Sequence, residues 1–176
     1  MTAALVWTRA RPLGACFAAL LGGAVFARYG LGAAGLIAAL TTAVLVGLSL
    51  IDAESHRLPN IILLPSAALV LAAQLATEPE HWQAWVGASL GAFACFLVFA
   101  LIVPAGFGMG DVKLTLLLGA ALGAAMLPAL LLGTLAGGVA AVIVLLREGG
   151  GARRKAIPYG PFLAFGAIAV MLLQAP

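Results

Sequence analysis

Two aspartates are the residues of this 176-residue chain that are best suited to chemistry. Asp52 directly follows an apolar run that ends at Ile51, and Asp111 follows the glycine-rich segment 106–110 and precedes another apolar run. A carboxylate near hydrocarbon costs about 2.5 to 3.5 kcal/mol on insertion scales, so such residues usually face a protein interior or a water-filled cavity. The two aspartates are therefore candidates for one shared site.

A pair of aspartates suits the chemistry of an aspartic protease. Two carboxylates within a few ångströms of each other cannot easily both ionise, so the pair shares one proton. The ionised member takes a proton from the attacking water, and the protonated member donates a hydrogen bond to the developing oxyanion. This chemistry needs no nucleophilic side chain, and the pair predicts peptide hydrolysis without a cofactor.

The remaining acidic residues favour plainer roles. Three of them belong to loops or helix ends: Glu78, Glu80 and Glu148. Asp52, Glu54 and His56 allow an alternative, a small metal site. We predict no metal, because one histidine and two neighbouring acids make a sparse ligand set, and the two cysteines form no Cys-x-x-Cys pair.

The composition indicates a membrane protein. Hydrophobic residues make up 64% of the chain and charged residues 9%, whereas a soluble domain carries roughly 25% charged residues. Seven spanning helices of about 20 residues would use about 140 residues, leaving roughly 36 for ends and loops. The sequence predicts a single integral membrane domain, residues 1–176, in which any chemistry lies within the bundle or at its rim.

The apolar pattern predicts an all-α, polytopic transmembrane helix bundle of about seven spans, within a range of six to eight. The predicted spans are 12–28, 31–50, 60–76, 83–105, 112–127, 129–146 and 159–175. A break is expected near Pro128, and the alternative is one long span over 112–146 with a re-entrant piece. Abundant glycine and alanine indicate close helix packing, and the alternative is a glycine-lined path for a substrate.

The distribution of basic residues predicts the orientation. With the N-terminus in the cytoplasm, eight of the nine Lys and Arg lie on the inner side and Arg28 alone lies outside. Asp52 and Asp111 then lie at one depth, on the cytoplasmic side. The net charge of +3 is assigned to this orientation and not to nucleic acid. The first segment also has features of a signal peptide, and in that alternative a cut after Ala27 removes the first helix.

Three segments of the sequence resemble one family. Gly108-Met109-Gly110-Asp111-Val112-Lys113 resembles the GxGDxK segment of the type IV prepilin leader peptidases, membrane aspartic proteases of the GxGD group. The segment 51–60 resembles that family's first aspartate segment, in which the aspartate precedes a hydrophobic residue, a proline and Asp or Asn. The segment 157–162 is similar to the family's late Pro-aromatic-Gly-Pro-Phe stretch.

The resemblance implies a function and a set of site residues. Asp52 and Asp111 correspond to the catalytic aspartates, and Lys113 to a residue with a supporting electrostatic role or an interfacial anchor. Further residues implied to support the motifs or bind substrate are Gly108, Gly110, Pro59, Asn60, Tyr159, Gly160 and Pro161. The substrates implied are prepilins or pseudopilins, whose basic leaders are removed at the cytoplasmic face of the bacterial inner membrane.

The short N-terminal segment predicts a reduced activity. Larger members carry paired Cys-x-x-Cys motifs in a cytoplasmic segment and also methylate the new N-terminus, whereas here about eleven residues precede the first helix. We expect a peptidase without N-methyltransferase activity. Two alternatives from other classes stay open, a proton-coupled small transporter and a non-catalytic assembly partner of a pilus or secretion system.

Overall fold

The fold consists entirely of helices. The structure, a computed structural model, describes residues 3–102, 108–148 and 158–174, and these ranges hold seven α-helices, two 3-10 turns and no strand. The helices are α1 Ala3–Tyr29, α2 Ala33–Ser55, α3 Asn60–Thr77, α4 Trp82–Ile102, α5 Met109–Leu122, α6 Met126–Glu148 and α7 Gly160–Leu173. The prediction of an all-α helix bundle is confirmed.

Most of these helices are long and apolar enough to cross a membrane. Four stretches meet this criterion: α2, α3, Pro79–Ile102 and the 39-residue stretch Met109–Arg147, which contains both α5 and α6. Leu13–Tyr29 and α7 are shorter apolar helices. The predicted count of about seven matches the number of helices, whereas the length criterion alone finds four. The chain is an integral membrane protein.

Two helix boundaries differ from the prediction at the aspartates. α2 continues to Ser55, five residues beyond the predicted end at residue 50, so Asp52 lies in its last turns. The helix closes at His56, which has a left-handed backbone (φ 52°, ψ 33°) and donates its amide to the Asp52 carbonyl at 2.8 Å. α5 begins at Met109, three residues before the predicted start. The predicted end of the fourth span at residue 105 lies outside the described residues.

The predicted break between the fifth and sixth helices is present, three to five residues before Pro128. The chain turns earlier, in a 3-10 turn over Gly123–Ala125, where Gly123 has φ +52°. Glycine adopts this left-handed backbone without a steric penalty. Pro128 lies in the first turn of α6, where its missing N–H interrupts no helical hydrogen bond. Residues 109–148 therefore form two helices and not one long span.

The core lies between α2, α3, α5 and α7. α5 is deeply enclosed, because Leu114, Leu117 and Leu118 are almost completely buried. Gly119 of α5 packs directly on the α4 backbone at Ser89, where a Cβ atom would overlap it. Small residues allow such close approach of helix backbones in a membrane. The hypothesis that the glycines pack helices holds at this position.

α6 packs on α7 through glycines. Gly166 of α7 faces Gly133, and a Cβ atom on Gly133 would lie 2.7 Å from the Phe162 carbonyl oxygen. Gly137 lies beside the Tyr159 ring, one turn further along α6 and at the start of α7. The two helices are therefore antiparallel. Beyond Gly137, residues 138–147 of α6 include no buried side chain.

Candidate active site

Asp52 connects α2 to the beginning of α7. Its side chain is buried, with 6% of its surface exposed, and its Oδ2 accepts a 3.0 Å hydrogen bond from the Gly160 amide. Gly160 is the first residue of α7, and the amides at a helix N-terminus are free to bind an anionic group. A Cβ atom on residue 160 would lie 2.8 Å from the same carboxylate oxygen. Glycine therefore lets the aspartate approach the amide.

Asp111 lies in the first turn of α5. Its amide donates to the Gly108 carbonyl at 3.0 Å, and Gly108 precedes the helix with an extended backbone. The Asp111 carboxylate turns back toward Gly108, where a Cβ atom would lie 3.1 Å from Oδ2. Gly110 faces Leu58 at a similar distance. Each glycine of the Gly-x-Gly-Asp segment thus makes room for a particular side chain.

The two carboxylates line one cavity of about 360 Å³. The two aspartates are distant in sequence, because all of α3 and all of α4 lie between them. The residues that line the cavity are Asp52, His56, Arg57, Leu58, Asn60, Gly108, Met109, Gly110, Asp111 and Lys113. The structure therefore brings the predicted pair together, at what we call the aspartate end of the bundle.

Lys113 and Asn60 join α5 to α3 beside this cavity. The Lys113 Nζ donates a 3.1 Å hydrogen bond to the Asn60 Oδ1. Asn60 is the first residue of α3, and Pro59 precedes it in an extended conformation. The contact connects the two motif segments and holds the start of α3 against α5.

The late motif, residues 157–162, contacts the aspartate site through its backbone more than through its side chains. Tyr159 precedes α7, and its ring contacts that of Phe162, with 6.5 Å between the ring centroids. Pro161 lines a separate apolar groove of about 460 Å³ between α1, α2 and α7. Of the residues predicted in this motif, Gly160 touches an aspartate, whereas Pro161 faces the groove. Residue 157 lies outside the described part of the chain.

The alternative of a metal site finds no support in the geometry. Within the described ranges, no group of three or more His, Cys, Asp and Glu side chains gathers in one place, and Asp52, Glu54 and His56 form no such group. Glu54 is exposed at the surface of α2. Cys16 and Cys95 are both exposed thiols.

Two supports of the site were not predicted. Leu58 packs over Gly110, although the sequence assigned it only as the hydrophobic residue before Pro59. Gly137 of α6 packs against the Tyr159 ring at the start of α7, where a Cβ atom on residue 137 would lie 2.8 Å from the ring. The four-residue spacing of Gly133 and Gly137 is a signal for close packing, but it does not indicate which helix is the partner.

Comparison with known protein families assigns the chain to a family. The model of the type IV leader peptidase family matches residues 39–146, a range that contains both aspartates and all the residues listed above that line the cavity. The chain belongs to the type IV leader peptidase family. The predicted resemblance is confirmed.

Several curated proteins are similar to this leader peptidase family member. "Prepilin leader peptidase/N-methyltransferase" of Pseudomonas putida is 35% identical over 165 residues, covering 87% of this chain and 55% of that protein. Proteins of the same name from Bacillus subtilis and Aeromonas hydrophila are 29% and 36% identical, covering 82% and 92% of this chain and 58% and 57% of theirs. The chain thus spans a little over half the length of these relatives. No solved structure matches it significantly.

Proposed function

We propose that this protein is an aspartic endopeptidase that removes the basic leader from prepilin or pseudopilin substrates. The observation that carries the proposal is the convergence of Asp52 and Asp111 on one cavity. Membership in the type IV leader peptidase family supports a peptidase, and the relatives' names supply the class of substrate. Neither the transporter nor the assembly-partner alternative has a comparable observation in its favour.

The geometry suits water activation by a carboxylate pair. The Gly160 amide donates to one oxygen of Asp52, and the Asp52 side chain lines the cavity together with Asp111. One carboxylate removes a proton from water as the water oxygen attacks the peptide carbonyl, and the other, protonated, donates to the developing oxyanion. Collapse of the tetrahedral intermediate breaks the C–N bond, and the amine leaves with a proton from the pair.

The cavity also suits a peptide substrate. Gly108 and Gly110 line the cavity beside Asp111, so a peptide that enters the cavity lies against this segment. Met109 between them is about half exposed and offers an apolar contact at the rim. These features support binding of the peptide along the start of α5.

We propose that the aspartate end faces the cytoplasm from the bacterial inner membrane. Arg57 and Lys113 line the cavity at this end, whereas Glu78 and Glu80 lie between α3 and α4 at the opposite end. Basic residues are enriched on the cytoplasmic side of membrane proteins. Cysteine labelling at Arg57 and Glu80 with an impermeant reagent tests this orientation, and labelling of residue 57 from the periplasm would contradict it.

The decisive experiment measures leader removal by single aspartate variants. Purified Asp52→Asn and Asp111→Asn proteins are incubated with a prepilin that retains its leader, and cleavage is followed on a gel. We expect each rate to fall at least about 100-fold, the usual contribution of a general acid or base. Glu54→Gln, an exposed acid two residues from Asp52, is the matched control and keeps its rate. Full activity of either aspartate variant would refute the pair.

The same assay addresses the metal and methylation predictions. We expect cleavage to continue in EDTA and without S-adenosylmethionine. The mass of the new N-terminal peptide, measured with S-adenosylmethionine present, is expected to be that of an unmethylated amine. Loss of cleavage in EDTA would restore the metal hypothesis.

A further inference from the structure

A second polar cavity lies at the end of the bundle opposite to the aspartates. Its volume is about 230 Å³, and its polar lining comes from Tyr29, Gln74, Glu78, Trp85 and Gln174. These residues lie at or near the ends of α1, α3 and α7 and in the first turn of α4. The cavity is therefore at the depth of the lipid headgroups and not in the hydrocarbon core.

Trp85 provides a hydrogen-bond donor that has no acceptor among the described residues. Its Nε1 is buried, and it is the one buried side-chain nitrogen or oxygen in the described residues that has no hydrogen-bond partner. Gln74, by contrast, donates through Nε2 to the Ala121 carbonyl at 3.3 Å. Buried polar groups in native proteins are nearly always paired, so an exception calls for a bound group.

Glu78 provides a negative charge on the same cavity. Its carboxylate is 3.6 Å from the exposed His81 Nδ1, and no Lys or Arg is among the described residues that line the cavity. The rings of Tyr29 and Trp85 complete the wall. A carboxylate beside aromatic rings is an arrangement that binds organic ammonium groups.

The cavity thus combines acceptor and donor groups suited to a zwitterion. A ligand that carries both an ammonium group and an oxygen acceptor would satisfy the Glu78 carboxylate and the Trp85 N–H together. We propose that the cavity binds a phosphoethanolamine group, with its ammonium on Glu78 and a phosphate oxygen on Trp85 Nε1. The headgroup of phosphatidylethanolamine supplies this chemistry at the depth of the cavity, and free phosphoethanolamine shares it.

The test compares two lipids of identical acyl chains. Purified protein in detergent receives phosphatidylethanolamine or phosphatidylglycerol, and retained lipid is counted by native mass spectrometry while Tm is recorded. We expect the ethanolamine lipid to be retained preferentially and to raise Tm. Glu78→Gln and Trp85→Phe should each weaken its retention about ten-fold, because each removes one polar contact and leaves the side-chain shape similar.

Two matched controls lie in the same part of the chain. Glu80→Gln removes a neighbouring exposed carboxylate. Trp82→Phe changes an indole that is 53% exposed. Neither residue lines the cavity. Both should retain the lipid like the unmodified protein. The Tm without added lipid shows whether a variant has lost its fold. If Trp85→Phe has lost its fold, the lipid retention of Glu78→Gln decides the test.

Competition separates the two sources of the ligand. Displacement of the retained lipid by free phosphoethanolamine at comparable concentration identifies the soluble compound as a ligand, and the absence of displacement identifies the lipid. Equal retention of both lipids, or unchanged retention in Glu78→Gln and Trp85→Phe, would overturn the proposal.

Discussion

The two ends of the helix bundle use their polar residues differently. At the aspartate end, hydrogen bonds join helix termini that are distant in sequence: the Gly160 amide binds Asp52, and Lys113 binds Asn60. At the opposite end, the Trp85 N–H has no partner in the part of the chain that the structure describes. Internal hydrogen bonds are present at the opposite end too, from Arg28 to the Leu172 carbonyl and from Gln74 to the Ala121 carbonyl. The two ends therefore differ in the unpaired buried donor, which only the opposite end has among the described residues.

The strongest test of this comparison is Gly160→Ala. The added methyl group would lie 2.8 Å from the Asp52 Oδ2, so the carboxylate must move away from the amide. A misplacement of about 1 Å at a catalytic group can reduce a rate about 100-fold, and we expect a loss of that size in kcat for leader cleavage. KM should change less, because the substrate-binding surface along α5 is untouched.

Gly138→Ala is the matched control for this substitution. A Cβ atom on Gly138 meets no other atom within 4 Å, so the variant should cleave normally. If Gly160→Ala keeps full activity while its Tm is unchanged, the α7 amide is not needed to position Asp52.

A glycine that packs helices away from the site should affect stability and not chemistry. Gly119→Ala places a methyl group against the α4 backbone at Ser89, and such overpacking typically costs about 1 to 3 kcal/mol. We expect a lower Tm and, below that temperature, normal cleavage. Gly91→Ala on α4, where the space is open, should leave Tm unchanged. Equal Tm values for both variants would contradict the close packing of α4 on α5.

Removal of the contact between α3 and α5 should have a moderate effect on activity. Lys113→Met deletes a hydrogen bond from a charged donor, worth about 1.5 kcal/mol, and we expect roughly ten-fold slower cleavage. Asn60→Ala should have a similar effect. In a double-mutant cycle the two losses should not add, since they remove the same hydrogen bond. Additive losses would show that Lys113 acts through another group.

The smallest effect is expected at the opposite end. Gln74→Leu removes the bond to the Ala121 carbonyl, and we expect a loss of about 1 kcal/mol in the free energy of unfolding. Cleavage by the folded variant should be unchanged. A slower rate without a lower Tm would mean that the opposite end is coupled to the aspartates and would remove the distinction between the two ends.

The helices and the aspartate pair follow largely from the sequence. Long apolar runs leave few alternatives to helices in a membrane, because backbone groups must be satisfied within each segment. Since charges are scarce, Asp52 and Asp111 are the acids that neither loops nor orientation explain. Their positions at helix ends on one side of the bundle were sufficient to predict a shared site.

The errors concern local backbone geometry. Whether α2 ends at residue 50 or at Ser55 depends on a left-handed closure at His56, a conformation uncommon for residues other than glycine. The break between α5 and α6 was assigned to Pro128, although a proline is harmless in the first turn of a helix. Gly123 was the better candidate, but one glycine among 22 carries little information.

Contacts between distant segments were beyond the reach of pattern analysis. Gly160 and Asp52 are separated by 108 positions, and the late motif indicated a role for Gly160 without naming its partner. The opposite cavity is assembled from the ends of several helices, so no short segment encodes it. Its residues look like ordinary interfacial Tyr, Trp and Glu when they are considered one at a time.

The unequal reach of α6 and α7 has a consequence for the surrounding bilayer. Beyond Gly137, which is level with the start of α7, α6 continues for eleven more residues to Glu148, about 16 Å, and it stays apolar as far as Leu146. On α2, polar residues follow Asp52 almost immediately. A hydrocarbon layer of uniform thickness cannot suit both helices, so we expect the membrane to thin beside α2 and α3. Such thinning would bring the aqueous phase close to the aspartates while α6 remains in lipid.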